Sequence, residues 1–220
     1  MPRKRKTKPR SQLSAPRIVA EALSLIDAKG LEGFSFRVLA KKLGCEAMSI
    51  YHYYPSKAHL FDAMIEICIA ETEVPPAGLP WIERLRLFAH AFRATALRHP
   101  GFFLYFSIYR MNNRAGLSFL NRIIEIFQES GLPPARQAAH FRAIGYYITG
   151  AGLDEAIGYV KGPSATDPVP EAQAHKDFPA IMSLGPYFSR AHHEATFEHG
   201  LETLLAKFEA DANLAANTTP

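Results

Sequence analysis

The sequence predicts an all-α fold on three observations. Apolar residues recur at spacings of three and four along most of the chain, the signature of helices with one buried face. No window alternates with the period of two that a half-buried strand requires. Glycine and proline fall between the periodic segments, where they terminate helices, and rarely inside them.

Taken in order, residues 1–12 read as a disordered basic arm, because Pro2 and Pro9 stand among like charges that cannot nucleate a helix. Ser14 is a candidate N-cap and Pro16 sits in a first turn, where its missing N–H does no harm. Ile18, Ala22, Leu25 and Ile26 then recur at helical spacing until Gly30. After "LEGFSF" a second helix, roughly Arg37 to Leu43, turns Val38, Leu39 and Leu43 inward and stops at Gly44. A short third helix covers about Ala47 to Tyr53 and ends at Pro55. Ser56 caps a fourth, whose Leu60, Phe61, Met64, Ile65 and Cys68 make an apolar face. "VPPAGLP", residues 74–80, breaks the chain and separates a domain at 13–72 from a second at 81–212. Helices at about 81–97, 102–111, 116–129 and Pro134 to Val160 come next. Residues 161–177 read as a proline-rich polar loop, and helices near 178–190 and from about His193 to Ala210 complete the chain.

With 220 residues, 48% hydrophobic and 21% charged, the composition is that of a globular protein with a full core. No apolar run reaches the length of a membrane span, and the first residues lack the apolar centre of a signal peptide. Two cysteines, Cys45 and Cys68, offer no disulfide framework, so a reducing cytoplasm is expected. The charge is uneven: twelve lysines and arginines face seven acids up to Glu71, and six of those twelve lie in the first ten residues. A basic end beside a near-neutral remainder fits contact with a polyphosphate.

"AMSIYHYYPSK", residues 47–57, packs tyrosines and a histidine into a segment where a core would use plain hydrocarbon. The second helix, the turn at Gly44 and the third helix form a helix-turn-helix, whose second helix enters the major groove of DNA. Ile50 belongs to the core. Ala47, Met48, Ser49, Tyr51, His52 and Tyr53 are left for the turn and outer face, where hydroxyls reach phosphates and apolar groups meet thymine methyls. Lys57 adds a phosphate clamp.

The stretch from "SAPRIVAEAL" to "HLFDAMI" carries "G-x-x-x-x-S-x-R-x-L-A-x-x-L-G" followed by "S-I-Y-x-Y-Y-x-S-K", and resembles the N-terminal domain of the tetracycline-repressor (TetR) family over about fifty residues. The resemblance implies a homodimeric repressor that leaves a palindromic DNA operator when a small-molecule effector binds its C-terminal domain. It places DNA contacts on Arg37, Ala47, Met48, Ser49, Tyr51, His52, Tyr53 and Lys57. Met48 departs from the proline or small residue often found there. Trp81, the segment "GLPPARQAAHFRAIGYYITGAGLDEA" and the closing "FEHGLETLLAKFEA" align more loosely with the tetracycline repressors themselves. Tyr105 then falls where they have a magnesium-ligating histidine and Tyr109 where they have a drug-contacting arginine, while Asp154 keeps an acidic position. Two losses of three argue against magnesium-tetracycline, and neither a metal nor a cofactor is expected.

The residues support a ligand domain by themselves. Phenylalanines crowd residues 88–127, mostly as core, but Tyr105 and Tyr109 carry hydroxyls that a ligand could satisfy. A largely apolar molecule is expected among Phe88, Phe92, Tyr105 and Tyr109, with Asp154 as a polar contact. For dimerisation, Gly145, Thr149, Gly152 and Ala156 form a stripe of small residues, and Phe197, Leu201, Leu204 and Phe208 repeat on the last helix. Two such helices per chain would close a four-helix bundle. No catalytic signature is present: "TGAG" at 149–152 is a fragment without a preceding strand, and neither G-x-S-x-G nor H-E-x-x-H occurs. An architectural protein binding DNA without sequence preference is the alternative. His192 and His199 stand about 10.5 Å apart along a helix, too far for one ion.

Overall fold

The computed structural model describes residues 13–109, 111–158 and 168–218, so the arm at 1–12 and the part of the expected loop at 161–167 lie outside the described residues. Eleven α-helices are found among the described residues, and the chain divides into two compact units, up to Ile67 and from Cys68.

In the first unit α1 (Ala15–Lys29) buries Ile18, Ala22, Leu25 and Ile26 and ends at Gly30, as its periodicity predicts. Ser35 caps α2 (Phe36–Leu43) by accepting from the Val38 amide at 3.2 Å. Gly44 then takes φ 70°, ψ 33°, the left-handed conformation that costs glycine least, and turns the chain into α3 (Ala47–Tyr51). Helix α3 stops two residues short of the expected end, and the Tyr53 and Tyr54 amides both return to the Ile50 carbonyl. Ile50 is fully buried. The next helix, α4 (Lys57–Glu71), contains the division between the units. That division precedes the proline-rich segment, because the segment packs on the helices C-terminal to it: Arg84 donates to the Pro75 carbonyl and Arg122 to that of Val74.

The second unit is built on α5 (Trp81–Arg98), α6 (Phe103–Ile108), α7 (Arg114–Gln128), α8 (Pro134–Ile157) and α11 (His193–Thr218). Helix α8 packs on α5, α6, α7 and α11 and is the centre of the unit. Phe102, Phe103, Phe106, Phe127, Phe197 and Phe208 are its largest buried side chains. Two short helices, α9 (Glu171–Asp177) and α10 (Pro179–Leu184), and two 3-10 turns (Gly185–Phe188 and Arg190–His192) lead into α11. Helix α9 corrects the expectation of loop through 177. The helix expected near 178–190 is broken at Gly185-Pro186, since proline cannot supply the amide that would extend α10.

Antiparallel pairing of α5 with α11 is marked by a ladder of charges. Arg86 meets Glu202 with two bonds of 2.6 and 2.9 Å, His90 meets Glu198 at 3.0 Å, and Arg93 meets Glu194. Arg86, His90 and Arg93 are one helical turn apart in succession, as are the three acids, so opposite faces match step for step.

Candidate functional site

In the first unit the helix-turn-helix buries what its periodicity assigns to the core and exposes much of the rest. Met48 is 64% exposed, and Arg37, Tyr51, His52, Tyr53 and Lys57 are also exposed, while Ala47 and Ser49 are half-buried. Several of these side chains are braced. The Tyr51 ring lies 4.8 Å from that of Phe36, and the Lys57 ammonium sits 5.4 and 5.0 Å from the Phe34 and Phe61 rings, a cation–π arrangement that steadies a long side chain. Tyr53 departs from the expected role of phosphate donor. Its hydroxyl donates to the Leu13 carbonyl at 2.9 Å, and that of Tyr54 to the Ala15 carbonyl at 3.4 Å. Sequence reasoning passed over Tyr54, although a doubled tyrosine after a short helix hinted at a second hydroxyl with work to do.

In the second unit the expected ligand residues fall into different places. Phe88, Phe92 and Tyr109 line a cavity of about 210 Å³ between α5, α6, α7 and α8, with Phe106, Phe119 and Ile148. Tyr105 is not on its wall; its ring stacks on Phe102 at 5.4 Å and lies 5.9 Å from Tyr109. Asp154 borders another cavity, of about 590 Å³, where α8 and α11 meet α10 and the following turn. Tyr146, Tyr147, Tyr187 and Phe188 share that wall, as does Glu155, which Arg93 holds by bonds of 2.8 to 3.1 Å.

The residues of the two expected dimerisation stripes differ in their surroundings. Gly145 and Thr149 line the smaller cavity, and a Cβ on Gly152 would stand 3.0 Å from both Ala96 and the Phe103 ring. Gly152 therefore serves close packing of α8 on α5 and α6 within one chain, whereas a Cβ on Gly145 would meet nothing within 4 Å, and Gly145, Thr149 and Ala156 are half-buried. Phe197, Leu201 and Phe208 are at most 2% exposed in the single chain, and Leu204 is half-buried. Phe208 is packed against Trp81 at 4.7 Å, Phe127 at 5.3 Å and His140 at 4.2 Å. Apolar periodicity reports that a face is buried; it carries no information on whether the covering helix belongs to the same chain.

Among the described residues, the His/Cys/Asp/Glu group whose donor atoms could meet one ion is His90, Glu194 and Glu198, within 4.8 Å of one another. Glu194 already pairs with Arg93, and His90 with Glu198, so the charge ladder accounts for the cluster. His192, His193 and His199 do not converge on a site.

Two family profiles match the chain: "Bacterial regulatory proteins, tetR family" over residues 18–64, and "Tetracyclin repressor-like, C-terminal domain" over residues 74–211. The chain belongs to the TetR family. TetR-family regulators are typically dimeric, ligand-responsive, DNA-binding repressors, and membership makes this chain a transcription regulator rather than an enzyme. It is 25% identical to the class A tetracycline repressor of transposon 1721 from Escherichia coli, covering 89% of this chain and 90% of that one. It is 28% identical to the transcriptional repressor DrrR1 of Streptomyces coeruleorubidus over 67% of this chain, and spans 55% of that relative's length. Among solved TetR-family structures, Streptomyces coelicolor ActR in complex with (S)-DNPA superposes with a TM-score of 0.67 at 25% identity, covering 92% of this chain and 100% of that one. No helix among the described residues is long and apolar enough to cross a membrane.

Proposed function

We propose that this regulator represses transcription as a homodimer on a palindromic operator, and releases it when a small, largely apolar molecule occupies the second unit. The aromatic cavity of Phe88, Phe92 and Tyr109 carries this reading: it is a half-open pocket with a mostly apolar wall, and it has a hydroxyl-bearing ring in its lining. Its size suits a compact ligand or one end of a larger one. The likeness to ActR, whose crystal structure holds (S)-DNPA, supports a small organic effector. Asp154 offers a polar contact at the neighbouring cavity, and Tyr105 acts behind Tyr109 as a ring that fixes its position.

Pairing of chains is supported by surface that one chain leaves bare. Phe178, Ile181, Leu184, Tyr187 and Phe188 are each more than half exposed, and Tyr146 on α8 and Leu214 on α11 add 63% and 69%. Ile181, Tyr187, Phe188 and Tyr146 share one cavity wall, and apolar surface grouped in this way is normally covered. The first unit carries Arg37, Met48, Tyr51, His52 and Lys57 to the operator, with Ala47 and Ser49 allowing close approach at the start of α3.

The test is selection of duplexes from a random pool by the purified protein. A two-fold dimer with one reading helix per chain should enrich a palindrome with half-sites about one helical turn, or a multiple, apart. Enrichment of an unsymmetrical site, or none, overturns the reading; the latter outcome would favour an architectural DNA-binding role. Release by effector should weaken operator binding by about 5- to 150-fold, the usual range of coupling between two sites.

A further inference from the structure

We infer that Tyr53 and Tyr54 are positioning residues for DNA binding: from the turn after α3 they hold the root of the basic N-terminal segment, and so determine where its cations are delivered. The inference rests on the DNA-binding part of the proposed function and not on the effector.

The two hydroxyls reach back across 40 and 39 residues to consecutive parts of one short stretch. Tyr53 donates to Leu13 at 2.9 Å, and Tyr54 to Ala15 at 3.4 Å. The two accepting carbonyls flank Ser14, the N-cap of α1. A serine there ordinarily accepts from a first-turn amide, yet this one makes no side-chain capping bond. The entry to α1 is thus held from the reading element instead of by its own cap. Pro16, inside the first turn, has no amide to offer such a cap. Arg10, the last of six cations in the first ten residues, stands three residues before Leu13.

A tethered cationic segment neutralises phosphates in proportion to its concentration around them, which depends on where its tether is fixed. Two hydrogen bonds from residues immediately after α3 set that point beside the helix that reads DNA. Loss of the bonds leaves every charge on the chain but lets the root wander. A direct phosphate contact is the competing use of the same hydroxyls. The two roles separate cleanly, because only the positioning role needs the basic segment to be present.

The experiment compares four proteins: the full chain, the chain carrying Tyr53→Phe and Tyr54→Phe, the chain lacking residues 1–10, and the combination. The truncation keeps Leu13 and Ala15, and the substitutions keep both rings. Affinity is measured over a salt series for a duplex selected by the full chain from a random pool, and for a scrambled duplex. Thermal midpoints follow folding, and Tyr53→Phe alone, on an exposed ring, serves if the pair unfolds. In the full chain the substitutions should lower affinity roughly two- to tenfold, the range one ordinary hydrogen bond spans, and flatten the salt dependence. In the truncated chain the loss should be much smaller. An equal loss in both backgrounds would assign the hydroxyls to DNA contact or to folding and overturn the inference. No loss in the full chain would overturn it as well.

Discussion

Arg93 is buried among α5, α8 and α11, with the Phe197 ring 4.7 Å from its guanidinium carbon and Glu155, equally buried, accepting two-pronged bonds. Taking both charges from water is costly, and the pair is tolerable because each satisfies the other. Glu194, the third partner, is largely exposed and contributes little. Arg93→Met should therefore destabilise the second unit by ~3–5 kcal/mol, since it strands the Glu155 carboxylate. Adding Glu155→Leu should recover most of that loss. Urea midpoints of the two variants check this; an Arg93→Met protein as stable as the parent would show that water reaches Glu155. The pairing joins residues 62 apart, and nothing in the local sequence around Arg93 distinguishes it from a surface arginine.

Between elements, the fit of α8 against α11 turns on Gly200. A Cβ there would overlap the Tyr147 hydroxyl, which bonds to the Thr196 carbonyl at 3.1 Å and that of Phe197 at 2.8 Å. Gly200→Ala should displace the Tyr147 ring and lower the thermal midpoint, even though alanine favours a helix by about 1 kcal/mol over glycine. A higher midpoint would mean that the ring moves aside freely. At Gly44 a Cβ meets nothing within 4 Å, so substitution there is opposed by φ alone. The contrast explains what could be read in advance. Gly30 and Gly44 end helices by a local backbone rule, and both were legible, as were the core positions of α1 and α4. Gly200, the inward turn of Phe197 and Phe208, and the grip of Tyr53 on Leu13 depend on partners 40 or more residues away. Residue type and spacing indicate that such a side chain needs a partner, and are silent on which.

Across the molecule, carboxyls with lowered pKa values lie along α11, where it faces α5 and α8, and at the end of α4. Hydrogen bonds from Arg93 and Arg86 hold the Glu194 and Glu202 carboxyls below their usual range. Burial works against the charged form of Glu71, but bonds from Arg98 and His99 outweigh it, and its pKa also falls. Asp211, bonded first by Lys207 and also by Arg136, is lowered to about 2. Each of these groups binds its proton more weakly folded than unfolded, so its stabilisation is complete above the ordinary carboxyl values and is lost as pH falls through the depressed ones. On the alkaline side burial raises the Tyr54 and Tyr147 hydroxyls, whose contribution is complete below the ordinary value of 10.0 and lost above it. The thermal midpoint should thus stay level through neutrality, decline from about pH 4.5 toward pH 2, and decline again above pH 10. An acid limb unchanged in Asp211→Asn would remove that carboxyl from the account.

The charge ladder has one more property. Slide α11 past α5 by one turn, about 5.4 Å, in either direction, and two of the three cations still face an acid: Glu202 and Glu198 one way, Glu198 and Glu194 the other. Evenly cut teeth hold a rack firmly but do not say which tooth should engage. The residues one turn from Gly200 are Thr196 and Leu204, and either would bring a Cβ onto the Tyr147 ring. The acids clamp the last helix, and one missing methyl group is the detent that stops it at a single notch.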